Sequence, residues 1–209
     1  MHITLYGATG RAGSRILTEL LSRNHHVHAI VRDPARVPAQ PNLTVTAGDL
    51  SSVESILPNL ASTDAVVSAY APPAEDKSQL LTVTRNLVAA IHQNHGPRLL
   101  VVGGAASLFL APGLTLLDSG YLPAEWLDIS RAHADLLQFL RSSDIDWTYF
   151  SPAAYFDPGT RTGKFRLGTD TLLSDENQQS RISMEDYAIA LVDELESPRH
   201  IRARFTIGY

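Results

Sequence analysis

Gly7-Ala8-Thr9-Gly10-Arg11-Ala12-Gly13 carries the clearest chemistry in the sequence. Three glycines in seven residues follow an apolar, strand-like run and lead into a helical pattern. They let the main chain turn with positive φ and come close to a bound group. The unpaired N–H groups and positive dipole end of the helix start would face that group, which suits a diphosphate resting at Thr9 to Ala12. The Gly-x-x-Gly-x-x-Gly spacing is not Gly-x-Gly-x-x-Gly, and a plain tight turn is the alternative. The position between strand and helix favours a dinucleotide.

A second group lies at the end of the next strand, in Val31-Arg32-Asp33-Pro34-Ala35-Arg36. When the ligand is NAD, an acidic residue about 20 positions beyond such a turn holds the ribose 2′-hydroxyl. Here Arg32 stands near that place and Arg36 can return to it, so two guanidinium forks can meet a 2′-phosphate. NADP(H) is therefore expected over NAD(H), with Arg11 as a possible third cation. Asp33 is the counter-signal, an acidic ribose ligand one place late.

Other groups invite weaker readings. His25, His26 and His28 lack an accompanying carboxylate at ligand spacing, and strand alternation points His25 away from the other two, so no metal site is expected. Glu185-Asp186 and Asp193-Glu194 read as a solvated helix face and an N-terminal charge complementing the helix dipole, and Asp144 and Asp146 flank a strand start. No nucleophile elbow occurs, so a hydrolase lacks its nucleophile. Tyr149, Phe150, Tyr155 and Phe156 are either a platform for a planar ring or ordinary core.

These residues need a frame. Strand-like runs at His2 to Tyr6, His26 to Val31, Leu43 to Ala47, Ala65 to Ala69, Arg98 to Val102 and Trp147 to Phe150 alternate with helical patterns. The helical patterns lie at Arg11 to Arg23, Ser51 to Leu60, Gln79 to His95 and Ser130 to Ser142. Most of the strands are apolar throughout, as expected when helices cover both faces, so the fold class is α/β with a doubly wound parallel sheet. A last helix is expected from Met184 to Glu194 and a last strand from Arg204 to Ile207. The 209 residues suggest one domain, 1–209. Within its C-terminal part, 151–209, the stretch from about 151 to 182 reads as a small substrate-covering region.

Composition excludes several function classes. Hydrophobic residues make up 44% and charged residues 19% of the chain, a balance suited to a folded domain rather than a disordered tail. Net charge is −5 and no long basic run occurs, so nucleic acid is not an expected partner. Without an apolar run of membrane length, and with no cysteine, the expectation is a cytoplasmic protein that uses neither membrane nor thiol chemistry. A monomer or homodimer is expected, with the last helix or the apolar stretch Leu108 to Leu117 available for pairing.

The chain resembles the atypical short-chain dehydrogenase/reductases, in particular the NADH-flavin reductase group and the related biliverdin-IXβ/flavin reductases. The resemblance rests on the glycine turn, Gly48-Asp49-Leu50, Val101-Val102-Gly103-Gly104-Ala105 and Asp146-Trp147-Thr148-Tyr149-Phe150-Ser151-Pro152-Ala153. It rests further on Phe156-Asp157-Pro158-Gly159-Thr160-Arg161-Thr162-Gly163 and Ile182-Ser183-Met184-Glu185-Asp186-Tyr187-Ala188. It implies a Rossmann-like NAD(P)-binding fold with Asp49 and Leu50 beside the adenine. Ser68, Ala69, Tyr70 and Gly103 would line the cofactor, and Pro152 to Tyr155 would lie near the nicotinamide. From the residues alone, a turn that caps the next helix is the alternative reading of Gly48-Asp49.

The superfamily's Tyr-x-x-x-Lys pair is absent: its places fall on Ile129 and His133. Reduction of a ketone needs a positioned proton donor, whereas a conjugated ring spreads the charge it receives, so the missing pair argues for a redox-active acceptor. His133, able to relay a proton, and Ser107, at a place where the superfamily often keeps a hydroxyl, are the candidate catalytic residues. The resulting expectation is an NAD(P)H-dependent reductase acting on a planar acceptor, with FMN or another flavin as a possible substrate. The rivals are a non-catalytic NADP sensor similar to NmrA-type regulators and a nucleotide-sugar-type epimerase or dehydratase.

Overall fold

The computed structural model describes residues 1–209. In chain order it places β1 (His2–Tyr6), α1 (Arg11–Ser22), β2 (His26–Val31), β3 (Leu43–Ala47), α2 (Val53–Ile56), β4 (Ala65–Ser68), α3 (Gln79–Gln93) and β5 (Arg98–Val102). Then come β6 (Phe109–Ala111), β7 (Leu114–Thr115), α4 (Ala124–Arg141), β8 (Trp147–Ser151), β9 (Tyr155–Asp157), β10 (Arg166–Gly168), β11 (Arg181–Ser183), α5 (Met184–Glu196) and β12 (Ala203–Gly208). Eight strands form one sheet in the order β10-β12-β8-β5-β4-β1-β2-β3. All are parallel except β10, which runs antiparallel to β12 at the edge. This is the expected α/β, doubly wound, Rossmann-like sheet.

Alternation along the strands divides the core between the two faces. Ile3, Leu5, Val67, Leu100 and Phe150 pack towards α1 and α5. Tyr6, Val66, Leu99, Val101 and Tyr149 pack towards α3 and α4. Phe150 lies at the centre of an aromatic column, 3.9 Å from the Phe205 ring and 4.1 Å from the Tyr187 ring. Tyr187 also donates its hydroxyl to the Phe150 carbonyl at 2.7 Å, fixing α5 to β8.

The structure corrects several expectations. α4 begins at Ala124, six residues before the expected Ser130, because Pro123 occupies its N-cap and Glu125 lies in its first turn. The expected helix 51–60 is a single α turn, Val53–Ile56, followed by a 3₁₀ turn, Leu57–Leu60, that carries Pro58. α5 is not a free face for pairing: nearly all its residues are buried, and it lies against α1. Within Leu108 to Leu117, Leu108 and Leu116 are buried, and only Phe109 and Leu114 stand out as exposed large apolar side chains. No helix is long and apolar enough to cross a membrane.

The stretch after Ser151 is knit into the fold through carboxylates expected to be solvated. Asp186 is fully buried and accepts from the Thr162 and Gly163 N–H groups at 2.8 and 2.9 Å, from Thr162 Oγ1 at 2.6 Å and from the Tyr209 hydroxyl at 2.8 Å. These bonds more than offset its burial and hold its carboxyl below the usual range. Glu194, also buried, pairs with Arg98 and with His200 Nδ1 at 2.7 Å. The three neighbouring histidines have separate roles: His25 bonds Glu196 at 2.9 Å, His26 stacks on His2, and His28 bonds Thr46 at 2.8 Å.

Candidate functional site

The glycine turn joins β1 to α1 beside the end of β4, and the tightness of the junction explains its composition. Gly7 has φ +83°, and a Cβ there would lie 2.3 Å from the Ala69 carbonyl oxygen. A Cβ on Gly13 would lie 2.0 Å from the Gly7 oxygen. Only glycine lets strand, turn and helix approach this closely. Gly10 is the N-cap of α1 and offers no side-chain acceptor, so the first N–H groups of the helix stay available to a ligand. This cradle fits a dinucleotide diphosphate.

Two cavities flank the turn along the carboxyl ends of the strands. The first, about 410 Å³, is lined by Gly7, Thr9, Gly10, Arg32, Arg36, Asp49, Leu50, Ala69 and Tyr70 among others. Nine expected cofactor residues thus share one cavity. Arg32 and Arg36 are exposed at its rim with no carboxylate partner. Asp33 is absent from the lining; its carboxylate accepts from the Ala35 N–H at 3.1 Å and caps a 3₁₀ turn, Pro34–Arg36. Asp49 lines the cavity and also serves the local turn, accepting from Ser51 Oγ at 2.6 Å and Ser51 N at 2.9 Å. Those bonds hold its carboxyl below the ordinary range. Tyr6 lines the cavity too, its buried hydroxyl lacking a protein partner and pushed up to about 12 by burial.

The second cavity, about 490 Å³, is mostly apolar. Its walls include Arg11, Gly103, Leu116, Trp126, Ile129, His133, Pro152, Tyr155 and Met184. Gly103 and Gly104 carry the chain over two rings: a Cβ on Gly103 would stand 2.4 Å from Tyr149, and one on Gly104 3.0 Å from His133. Gly104 N donates to the Tyr149 hydroxyl at 2.8 Å. That hydroxyl lies 3.2 Å from the His133 carbonyl oxygen and 3.3 Å from His133 Nδ1. His133 is half-buried, not a surface histidine, and burial pushes its pKa down to about 4, so the imidazole is neutral at neutral pH. Both cavities include Ala71, and together they form one cleft.

Three expected cofactor residues line neither cavity. Ala12 lies in the first turn of α1, Gly13 is buried against Gly7, and Ser68 is buried at the end of β4. Ser107 is turned away from the cleft: its hydroxyl and carbonyl accept from the buried Arg204 at 2.9 and 3.0 Å. Arg204 also pairs with Asp170, so Ser107 ties a loop to β12. Tyr149 and Phe150 are fully buried, and Phe156 packs on Tyr187, which leaves Tyr155 as the exposed member of that aromatic group. Opposite Tyr155 stands Trp126, a wall residue the sequence reading missed, with ring centroids 6.5 Å apart and planes at 78°. Arg11 crosses the cleft mouth to pair with Asp157 at 2.7 Å.

Comparison with known proteins identifies the family. A family described as NAD(P)H-binding matches residues 7–198. The uncharacterized protein YwnB of Bacillus subtilis is 38% identical over 211 residues, which span 99% of this chain and 98% of that protein. A solved structure from Bacteroides thetaiotaomicron, named a "putative epimerase", is 42% identical with TM-score 0.93, covering 100% of this chain and 96% of that one. A "putative NADH-flavin reductase" from Streptococcus pneumoniae is 33% identical with TM-score 0.91, covering 100% and 99%.

Proposed function

The chain belongs to the NAD(P)H-binding family, and from that premise we propose that it is a reductase passing a hydride from NADPH to a flavin, a quinone or a similar planar acceptor. One observation carries the reading: Ile129 and His133, which the resemblance sets at the places of the superfamily's Tyr-x-x-x-Lys pair, both line the apolar cavity. The name of the Streptococcus pneumoniae relative supports it.

Bound NADPH supplies the hydride, and the chain supplies position, a dry wall and neutral hydrogen-bond donors. Within Thr9 to Ala12 the N–H groups other than that of Gly10, which bonds the Gly7 carbonyl at 2.9 Å, receive the diphosphate, while Arg32 and Arg36 grip the 2′-phosphate and Asp49 and Leu50 border the adenine. Ser68, Ala69 and Tyr70 back the middle of the cofactor, while Gly103, Pro152 and Tyr155 border the nicotinamide. A flavin or quinone takes up two electrons with the hydride and completes its reduction with one proton from water. His133, at the wall of the apolar cavity and held neutral by burial, offers a ring nitrogen to the acceptor without carrying charge.

The Bacteroides relative's name favours a second reading, an epimerase. Moving a proton at a sugar carbon requires a base or acid of matched pKa. Here the cavity's carboxylate, Asp157, is engaged by Arg11, and His133 is held neutral well below physiological pH. A non-catalytic sensor would bind both coenzyme forms without turnover. The test is NADPH consumption with FMN, riboflavin and a simple quinone, alongside calorimetric coenzyme titration. Turnover above the protein-free rate is expected; saturable NADPH binding with no turnover on any of the three would replace the reductase by the sensor.

A further inference from the structure

Beside the apolar cavity lies a third, about 640 Å³, that shares two of its wall residues, Tyr155 and Asp157. The sharing follows from the two-stranded sheet of β9 and β11. Its parallel register sets Arg181 opposite Tyr155 and Ser183 opposite Asp157. Alternation places these four side chains on one face, while Phe156 and Ile182 turn to the core. Paired strands lie about 4.8 Å apart, so Arg181 is the immediate neighbour of the exposed Tyr155 ring.

The chemistry of this third cavity differs from that of the second. Lys164 lines it and pairs with no carboxylate. Arg181 is 57% exposed, pairs with Asp175 at 3.4 Å and lies over the Tyr209 ring, 6.0 Å from its centroid. Asp157, the acid of the wall, is already neutralised by Arg11 at 2.7 Å. Thr160 adds a hydroxyl to the same lining. One shared wall therefore separates an apolar chamber suited to a flat ring from one that carries two cations, Lys164 and Arg181.

We propose that the third cavity is a subsite for an anionic tail on the acceptor, so that the protein selects a planar ring bearing a phosphate on a short flexible arm over the same ring without it. The inference rests on the reductase reading for the ring's place. Lys164 and Arg181 receive the phosphate, and Tyr155 is the joint over which the arm bends. The cleft then has separate anion-binding places, the arginines at the coenzyme end and these two cations at the acceptor end.

FMN and riboflavin, which share a ring and differ in the phosphate, are the probes. Equilibrium titration of the NADP⁺-loaded protein, followed by flavin fluorescence, measures affinity whether or not turnover occurs. FMN is expected to bind about 10-fold or more tighter than riboflavin, as one charge-assisted contact provides. The double substitution Lys164→Ala with Arg181→Gln should bring the FMN affinity to the riboflavin value, and added salt should do so partially. Equal affinities in the unsubstituted protein overturn the proposal, as does a variant that keeps the FMN preference. Lys164→Ala alone, an exposed change, should remove part of the preference even if the double variant unfolds; an unchanged preference counts against the subsite. Flavin binding without reduction would instead count against the reductase reading and leave the subsite standing.

Discussion

Arg32→Ala separates coenzyme recognition from folding. The Arg32 guanidinium is exposed at the rim of the first cavity and pairs with no carboxylate of the chain. Its removal forfeits no native hydrogen bond or ion pair, and the unfolding free energy should change by no more than an exposed substitution usually causes, within about 0.5 kcal/mol. The neighbouring acid does not compensate, because Asp33 is engaged with the Ala35 N–H at 3.1 Å. If Arg32 holds the 2′-phosphate, the variant loses a hydrogen bond between charged groups worth about 1.5–3 kcal/mol. That corresponds to an NADPH dissociation constant raised about 10- to 100-fold. NADH lacks the 2′-phosphate, so its affinity should stay within about twofold, no more than an exposed contact changes. Calorimetric titration of both coenzymes into both proteins gives all four constants. An unchanged NADPH constant refutes the assignment; an equal loss for NADH shows that Arg32 serves the common part of the molecule.

Two further perturbations probe the rest of the cleft. Gly13→Ala drives a methyl to 2.0 Å from the Gly7 oxygen, so the turn must shift. A loss of about 1–3 kcal/mol in unfolding free energy, with weaker NADPH binding, is expected; chemical denaturation and calorimetry giving unchanged values would contradict the close-packed turn. His133 titrates near 4 in the folded protein against 6.5 for a free imidazole. As pH falls, the unfolded chain takes up this proton first, so the folded state loses stability from pH 6.5 down to about 4 and keeps its full contribution above that window. Ring ¹⁵N shifts followed by NMR should show a neutral His133 at pH 6; a midpoint near 6.5 would mean an imidazole open to water.

The sheet and its glycine turn were legible in the sequence because both are local. Apolar runs set the strands, and a strand, three glycines and an amphipathic helix in succession leave few other arrangements. Arg32 and Arg36 could be set beside the turn for the same reason, and both line the first cavity with it. The acceptor side was less legible. β9 and β11 have three residues each, too short for a periodic signal, and they pair across more than twenty intervening positions. Trp126 was missed because Ser130 gave a plausible helix start; the signal that reveals it is Pro123 followed by Glu125, a proline and an acid at a helix opening. Nothing near Ser107 indicates that Arg204, nearly a hundred residues later, takes its hydroxyl. The acids of α5 read as solvated because their partners, Thr162 and Arg98, come from distant segments.

The two chambers of the cleft draw on different stretches of chain. Residues 6–79 wall the first and, apart from Arg11 and Ala71, residues 103–184 wall the second. Substitutions on opposite sides of that division share few neighbours and should combine nearly additively. Coenzyme choice and acceptor choice can then be re-engineered, or diverge between descendants of one ancestor, without each change undoing the other.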